Sequence, residues 1–177
     1  EHQQQDESGR NRFFLSVVVV ALGLFLAVWQ GYARPHVKAR AQAGPQGVVV
    51  LDDAAVETLP PGRYLSFGRT PPIEGLTEFG DSAEGVVVRR SAEDHPVLRY
   101  VNLDELFVSS MRKLTTGTGV ESLVESGDGP MVVSVDRGPI QIIHATFDPL
   151  DSNWPYLRSF VNFVPNAIES LGGLGDA

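Results

Sequence analysis

The sequence predicts a strand-rich α/β domain that closes with an amphipathic helix and is preceded by one transmembrane helix. Three observations predict it. Residues 13–33 carry no charge. Short apolar runs separated by Gly, Pro and Asp follow between 47 and 147. From 157 onward, apolar residues recur at helical spacing. At roughly 100–200 residues per domain, a chain of 177 residues holds one folded domain plus appendages. It contains no cysteine, which excludes a disulfide scaffold, thiolate zinc sites and a cysteine nucleophile. Its methionines are Met111 and Met131, so a fragment or a processed product is expected.

Residues 1–12 form an N-terminal flank. The run 13–33 (FFLSVVVVALGLFLAVWQGYA) follows. As a helix it would reach about 31 Å, enough to cross a hydrocarbon core. Trp29 and Tyr32 stand where an interfacial belt would be, and Pro35 favours a stop near Ala33. A cleaved signal peptide is the competing reading, with Arg10 and Arg12 before the apolar run and Ala41-Gln42-Ala43 as the small-residue site. Residues 34–46 read as a basic, Gly/Pro-containing juxtamembrane linker.

The soluble α/β domain is expected over 47–173, with 174–177 as a tail. Strands are expected at 47–51 (GVVVL), 63–68 (RYLSFG) and 86–89 (VVVR), with a turn at 59–62 and a loop from Thr70 to Gly85. Residues 97–101 read as extended and 106–109 as a strand, while 120–125 suggest a single helical turn. Strands at 131–135 and 140–147 are joined by Asp136-Arg137-Gly138-Pro139. Leu157, Phe160, Val161, Val164, Ile168 and Leu171 give the final helix its apolar stripe. Asp151, Ser152 and Asn153 are candidate caps, Pro155 suits a first turn, Pro165 should kink the helix, and Gly172-Gly173 can end it.

Charge is uneven. Residues 1–40 carry five basic and three acidic side chains; residues 41–177 carry nine and nineteen. A body of net charge −10 repels phosphate backbones, so no nucleic-acid partner is expected.

Chemistry-bearing groups gather at 148–155, Asp-Pro-Leu-Asp-Ser-Asn-Trp-Pro. This run follows a strand and precedes a helix, where α/β folds place ligands. Asp148 and Asp151, with His144 upstream, are weak candidates for a metal site or an acid–base pair; the competing reading is that they cap the helix. Asp52 begins a stretch that could mimic a metal-ion-dependent adhesion site, Asp-x-Ser-x-Ser. The serine positions hold Ala54 and Val56, which have no side-chain oxygen. Gly117-Thr118-Gly119 lacks a phosphate-loop lysine, and no serine stands in G-x-S-x-G. His95 reads as a surface or strand-entry residue. No catalytic residue and no cofactor are expected.

Residues 95–172 resemble the C-terminal part of Bat-like, aerotolerance-type bacterial membrane proteins, which combine a von Willebrand factor A domain with a class I glutamine-amidotransferase-like domain. The most specific piece is Phe147-Asp148 through Ser152-Asn153-Trp154-Pro155, with Phe160 and Asn166. LPPGRYLSFGRTPP (59–72) resembles an earlier segment of the same domain, and the helix ending Ala33-Arg34-Pro35 resembles the one that precedes the A domain. The resemblance implies a partial amidotransferase-like, Rossmann-like sheet. It also implies a single-pass protein of the bacterial inner membrane whose soluble domain lies outside the cytoplasm. The expected partners are the lipid bilayer and other membrane or periplasmic proteins. The adhesion-site serines and the amidotransferase cysteine are absent, so the implied function is non-catalytic protein–protein assembly. The alternatives are a degenerate fragment without independent function, and a metal-dependent hydrolase using His144, Asp148 and Asp151.

Overall fold

The computed structural model describes residues 47–172. The chain divides into Glu1–Ala41 and Gln42–Ala177, and the described residues belong to the second unit. The expected transmembrane helix at 13–33 lies outside the described residues. Among those described, no helix is long and apolar enough to cross a membrane.

The described residues form ten strands and one α-helix. The strands are β1 Val48–Asp52, β2 Gly62–Phe67, β3 Leu76–Glu78, β4 Ala83–Val87, β5 Arg90–Ser91, β6 Phe107–Met111, β7 Leu114–Thr116, β8 Val120–Glu125, β9 Pro130–Asp136 and β10 Ile140–Ala145. The helix is α1, Arg158–Gly172. Six strands make the main sheet in the order β1-β2-β10-β9-β8-β5. β1 and β10 both run parallel to β2, whereas β9 is antiparallel to β10 and to β8. The two other sheets, β3-β7 and β4-β6, have two strands each.

The expected Rossmann-like sheet is therefore corrected to a mixed sheet. A doubly wound fold joins parallel neighbours through crossover helices. Here residues 53–61 join β1 to β2 with no helix, and β10 reaches β2 after the excursion through β3–β9.

Alternation along the strands sorts side chains onto two faces. Leu65, Phe67, Ile143 and Ala145 pack with Trp154, Phe163, Ala167 and Leu171 under α1. Tyr64, Ile142, Val133 and Val135 pack with Leu76 and Leu114 under β3-β7. Both faces of the central strands are thus covered, which explains their near-continuous apolar runs.

Three local expectations are corrected. Residues 120–125 are strand β8, not a helical turn. Register shifts beside Val124 mark a bulge there, and a bulge breaks strict alternation. It leaves Leu123 and Val124 both buried, so Val120, Leu123 and Val124 mimic helical spacing. Residues 97–101 are not extended: Pro96–Leu98 is a 3-10 turn capped by His95, whose Nδ1 accepts the Val97 N–H at 3.2 Å. The Thr70–Gly85 loop contains β3 and the start of β4. The final helix begins at Arg158, after two 3-10 turns, Pro149–Asp151 and Trp154–Tyr156. It runs on through Pro165, and Gly172 is its last residue; Gly173 lies outside the described residues.

Trp154 is the largest fully buried side chain. Its ring meets Phe163 at 4.6 Å, Phe160 at 5.5 Å and Phe147 at 5.6 Å between centroids. Its Nε1–H donates to Ser159 Oγ at 3.2 Å. Trp154→Ala should cost about 3–5 kcal/mol in urea denaturation, whereas Val161→Ala, at a position 65% exposed, should fall within about 0.5 kcal/mol of the parent.

Candidate functional site

The carboxyl ends of the parallel strands β1, β2 and β10 converge on one open pocket of about 120 Å3. Asp53 follows β1, Gly68 follows β2, and Thr146, Phe147 and Asp148 follow β10. Met111 and Arg112 enter from the end of β6, and Asp151 closes one side. The position agrees with the strand-end placement expected of an α/β sheet.

Two of its charged groups, Arg112 and Asp148, have structural partners. Arg112 pairs with Glu78 at 3.3 Å and with Asp53 at 3.8 Å, while its backbone N–H donates to Thr146 O at 2.8 Å. Burial raises the Glu78 carboxyl, but hydrogen bonds from Thr70 and the charge of Arg112 outweigh it and hold Glu78 below its ordinary value. Asp148 accepts the Leu150 N–H at 2.8 Å and so caps the turn Pro149–Asp151. Asp151 lines the same pocket and is exposed.

The rest of the 147–155 run is a joint. Ser152 Oγ donates to Pro149 O at 2.8 Å and accepts the Trp154 N–H at 3.2 Å. Asn153 does not cap α1. Its Oδ1 accepts the Phe107 N–H at 2.9 Å, and its Nδ2 donates to Glu105 O at 2.7 Å. Pro155 occupies the turn Trp154–Tyr156. Phe147 and Phe160 pack against Trp154. Asn166 reaches from α1 to Arg99 O at 2.7 Å and Val97 O at 3.3 Å. The residues that carry the sequence resemblance thus tie β6, the 96–101 turn and α1 together.

His144 does not join Asp148 and Asp151. Alternation puts it with Ile142 on the opposite face from Ile143 and Ala145, and it is fully buried. Its Nδ1 lies 3.2 Å from Ser66 Oγ, and its Nε2 has no hydrogen-bond partner. Among the described residues, no group of three His, Asp or Glu side chains could hold a metal ion. Asp52 ends β1, and Ala54 and Val56 pack against the core under β3-β7, so their side chains are used as apolar surface.

Two features had no legible signal. Gly117-Thr118-Gly119 is a cradle for Arg137, whose Nη2 donates to Glu74 O at 3.1 Å and also to Thr118 O. A Cβ on Gly119 would come within 2.5 Å of that guanidinium, and one on Gly75 within 2.7 Å; both glycines also have positive φ. The second feature is Tyr100, a bulky residue at φ 60° that is 86% exposed. Asn162 Nδ2 holds its carbonyl at 2.7 Å.

Burial lowers the His144 pKa from 6.5 to about 4; hydrogen bonding to Ser66 and the charge of Glu78 oppose this, and Arg112 adds to it. The unfolded chain therefore takes up a proton between these values that the folded chain refuses. Stability is whole above pH 6.5 and declines as pH falls toward about 4, by roughly 3 kcal/mol if His144 acts alone. Urea titrations at pH 7.5, 6, 5 and 4 should show that decline, and His144→Gln should flatten it.

No family model matches the chain, and no curated protein matches it. Two solved structures from Salmonella typhimurium are similar in fold. One is described as cytoplasmic protein STM3548, with TM-score 0.53, 11% identity, and coverage of 62% of this chain and 55% of that one. The other is described as cytoplasmic protein STM1381 from strain LT2, with TM-score 0.53, 14% identity, and coverage of 62% and 56%. The chain thus spans just over half the length of these structures, and the likeness concerns the fold alone. Both are described as cytoplasmic, unlike the single-pass, extracytoplasmic placement expected at a bacterial inner membrane, and no helix among the described residues is long and apolar enough to cross a membrane; that placement is withdrawn. The von Willebrand factor A, amidotransferase-like and aerotolerance assignments are corrected with it. The most specific run behind them, 147–155, is occupied by packing and turn closure.

Proposed function

We propose that residues 47–172 act as a non-catalytic domain that binds other proteins. The observation that supports this reading is Tyr100. An aromatic residue in the left-handed region costs on the order of 1–2 kcal/mol. Two asparagines of α1, Asn162 and Asn166, spend their amides holding this turn in place. The ring nevertheless gains no burial from it. Backbone strain of this kind clusters at functional sites, and tyrosine is a preferred anchor in protein contacts. The pocket supports the same reading: its one cation is held by Glu78 and Asp53, and Asp148 closes a turn.

Tyr100→Gly should leave the fold intact and raise stability by up to about 1 kcal/mol, because glycine adopts positive φ without strain. A photoreactive residue at position 100 should yield a discrete protein adduct in cells, absent when the same residue replaces Asp128 in the β8–β9 turn. Equal labelling from both positions, or none from position 100, would refute the reading.

A further inference from the structure

The outward face of α1 is built against the needs of a solvent-exposed helix. On a 3.6-residue period its inner side is Ser159, Phe163, Ala167 and Leu171, all buried. The opposite arc presents Arg158, Val161, Pro165, Ile168 and Glu169, all exposed. Val161 and Ile168 are 65% and 41% exposed, and Arg158 and Glu169 are the only charged residues in the helix. Neither makes an ion pair within the described residues.

Both charges also sit at the wrong end. A helix N-terminus is partially positive and its C-terminus partially negative, so an arginine in the first turn and a glutamate in the last each oppose the macrodipole. Here the first residue is Arg158, and Glu169 lies in the last turn, with no acidic residue in the first turn and no basic one in the last to offset them.

We infer that this face pairs with the same face of a second copy, with the two α1 helices antiparallel about a twofold axis near residue 164. This rests on the protein-binding reading above and names its partner. A twofold axis perpendicular to both helices keeps each flank of the stripe on its own side. On one flank Val161 meets the other copy's Ile168. On the other flank Arg158 meets the other copy's Glu169, and the reverse pair forms at the far end. Each misplaced charge then lies beside the opposite pole of the neighbouring helix, so the arrangement that is unfavourable in one copy becomes favourable in two. Pro165, with no N–H to expose, occupies the middle of the contact. Tyr100, held by Asn162, borders the charged flank. A parallel pair would instead bring Arg158 level with Arg158 and Glu169 level with Glu169, and would set the charged flank against the apolar one. Fifteen residues span about 22 Å, a face smaller than permanent dimers use, so the dimer is one that dissociates on dilution.

Sedimentation of the full chain over a concentration series up to several hundred micromolar tests this, with circular dichroism and thermal melting confirming that each variant folds. The parent should form a reversible dimer. Arg158→Glu alone, or Glu169→Arg alone, should weaken it at least tenfold, and the double variant R158E/E169R should return to within about threefold of the parent. Val161→Asp should abolish it. A parent that stays monomeric throughout would overturn the inference, as would self-association that the single charge reversals leave unchanged or that the double variant fails to restore. A monomeric parent that still gives an adduct from position 100 would overturn the dimer alone and leave the protein-binding reading standing. Loss of that adduct with the dimer intact would remove Tyr100 from the contact and leave the dimer standing.

Discussion

The domain depends on β10 having both faces buried. It lies between β2, parallel on one side, and β9, antiparallel on the other. A strand in that position exposes no edge, and its side chains must be satisfied by layers above and below. Ile143 and Ala145 require α1; Ile142 requires the β3-β7 pair. The same constraint governs His144. One ring nitrogen finds Ser66 on the paired strand, where register places Ser66 directly opposite. The other finds nothing, and a charge there would have to be desolvated. The ring therefore stays neutral, which removes it from any chemistry that needs a basic imidazole exchanging protons with solvent.

Closing such a sheet without crossover helices puts the burden on loops. Two joints carry it. The run 147–155 turns the chain out of β10 and into α1 while meeting β6 through Asn153, so one short segment fixes three elements. Arg137 does the equivalent work at the other end of β10, bonding the carbonyls of Glu74 and Thr118 and so holding the β3-β7 layer over the sheet. A guanidinium suits this role because its planar donors satisfy several carbonyls at once. The glycines beside it are needed because any Cβ there would occupy the same space.

How much of this was legible follows from what each signal reports. β1, β2, β9 and β10 were legible as short apolar runs bounded by turn residues, and α1 because burial on one face writes a helical period into the sequence. β8 was misread because a bulge and a helical turn both place apolar residues three and four apart. β3 and β7, of three residues each, are too short to show a period. Strand order was not legible at all: parallel neighbours without crossover helices leave no mark in composition. At the pocket, Asp148 and Asp151 could be picked out by residue type, but Arg112 and Glu78 could not. They meet through the pairing of β3 with β7 and through the end of β6, a product of topology. Asp148 also shows the limit of residue type as a guide, since a carboxylate that caps a turn and one that binds a metal use the same two oxygens.

The outer face of α1 and the neighbouring Tyr100 turn bring several conflicts together. Over much of the rest of the fold local preference and tertiary role agree: glycines occupy most positive-φ positions, Asp53 at φ 43° being the exception there, prolines open turns, and the bulge serves the register. At Tyr100 and along the outer face of α1 they disagree. A bulky residue adopts a conformation suited to glycine, its carbonyl held by Asn162 while its ring stays exposed, and both helix charges oppose their dipole without an ion pair among the described residues. Natural sequences accumulate such conflicts where something other than folding selects the residue. The conflicts are adjacent, because Asn162 and Asn166 of α1 are the residues that hold the Tyr100 turn. They also share a sense. An exposed aromatic ring and an apolar stripe both gain by losing water, and the two charges gain by meeting their opposites. One antiparallel contact resolves the stripe and both charges at once. A partner without this symmetry would need a separate complement for each.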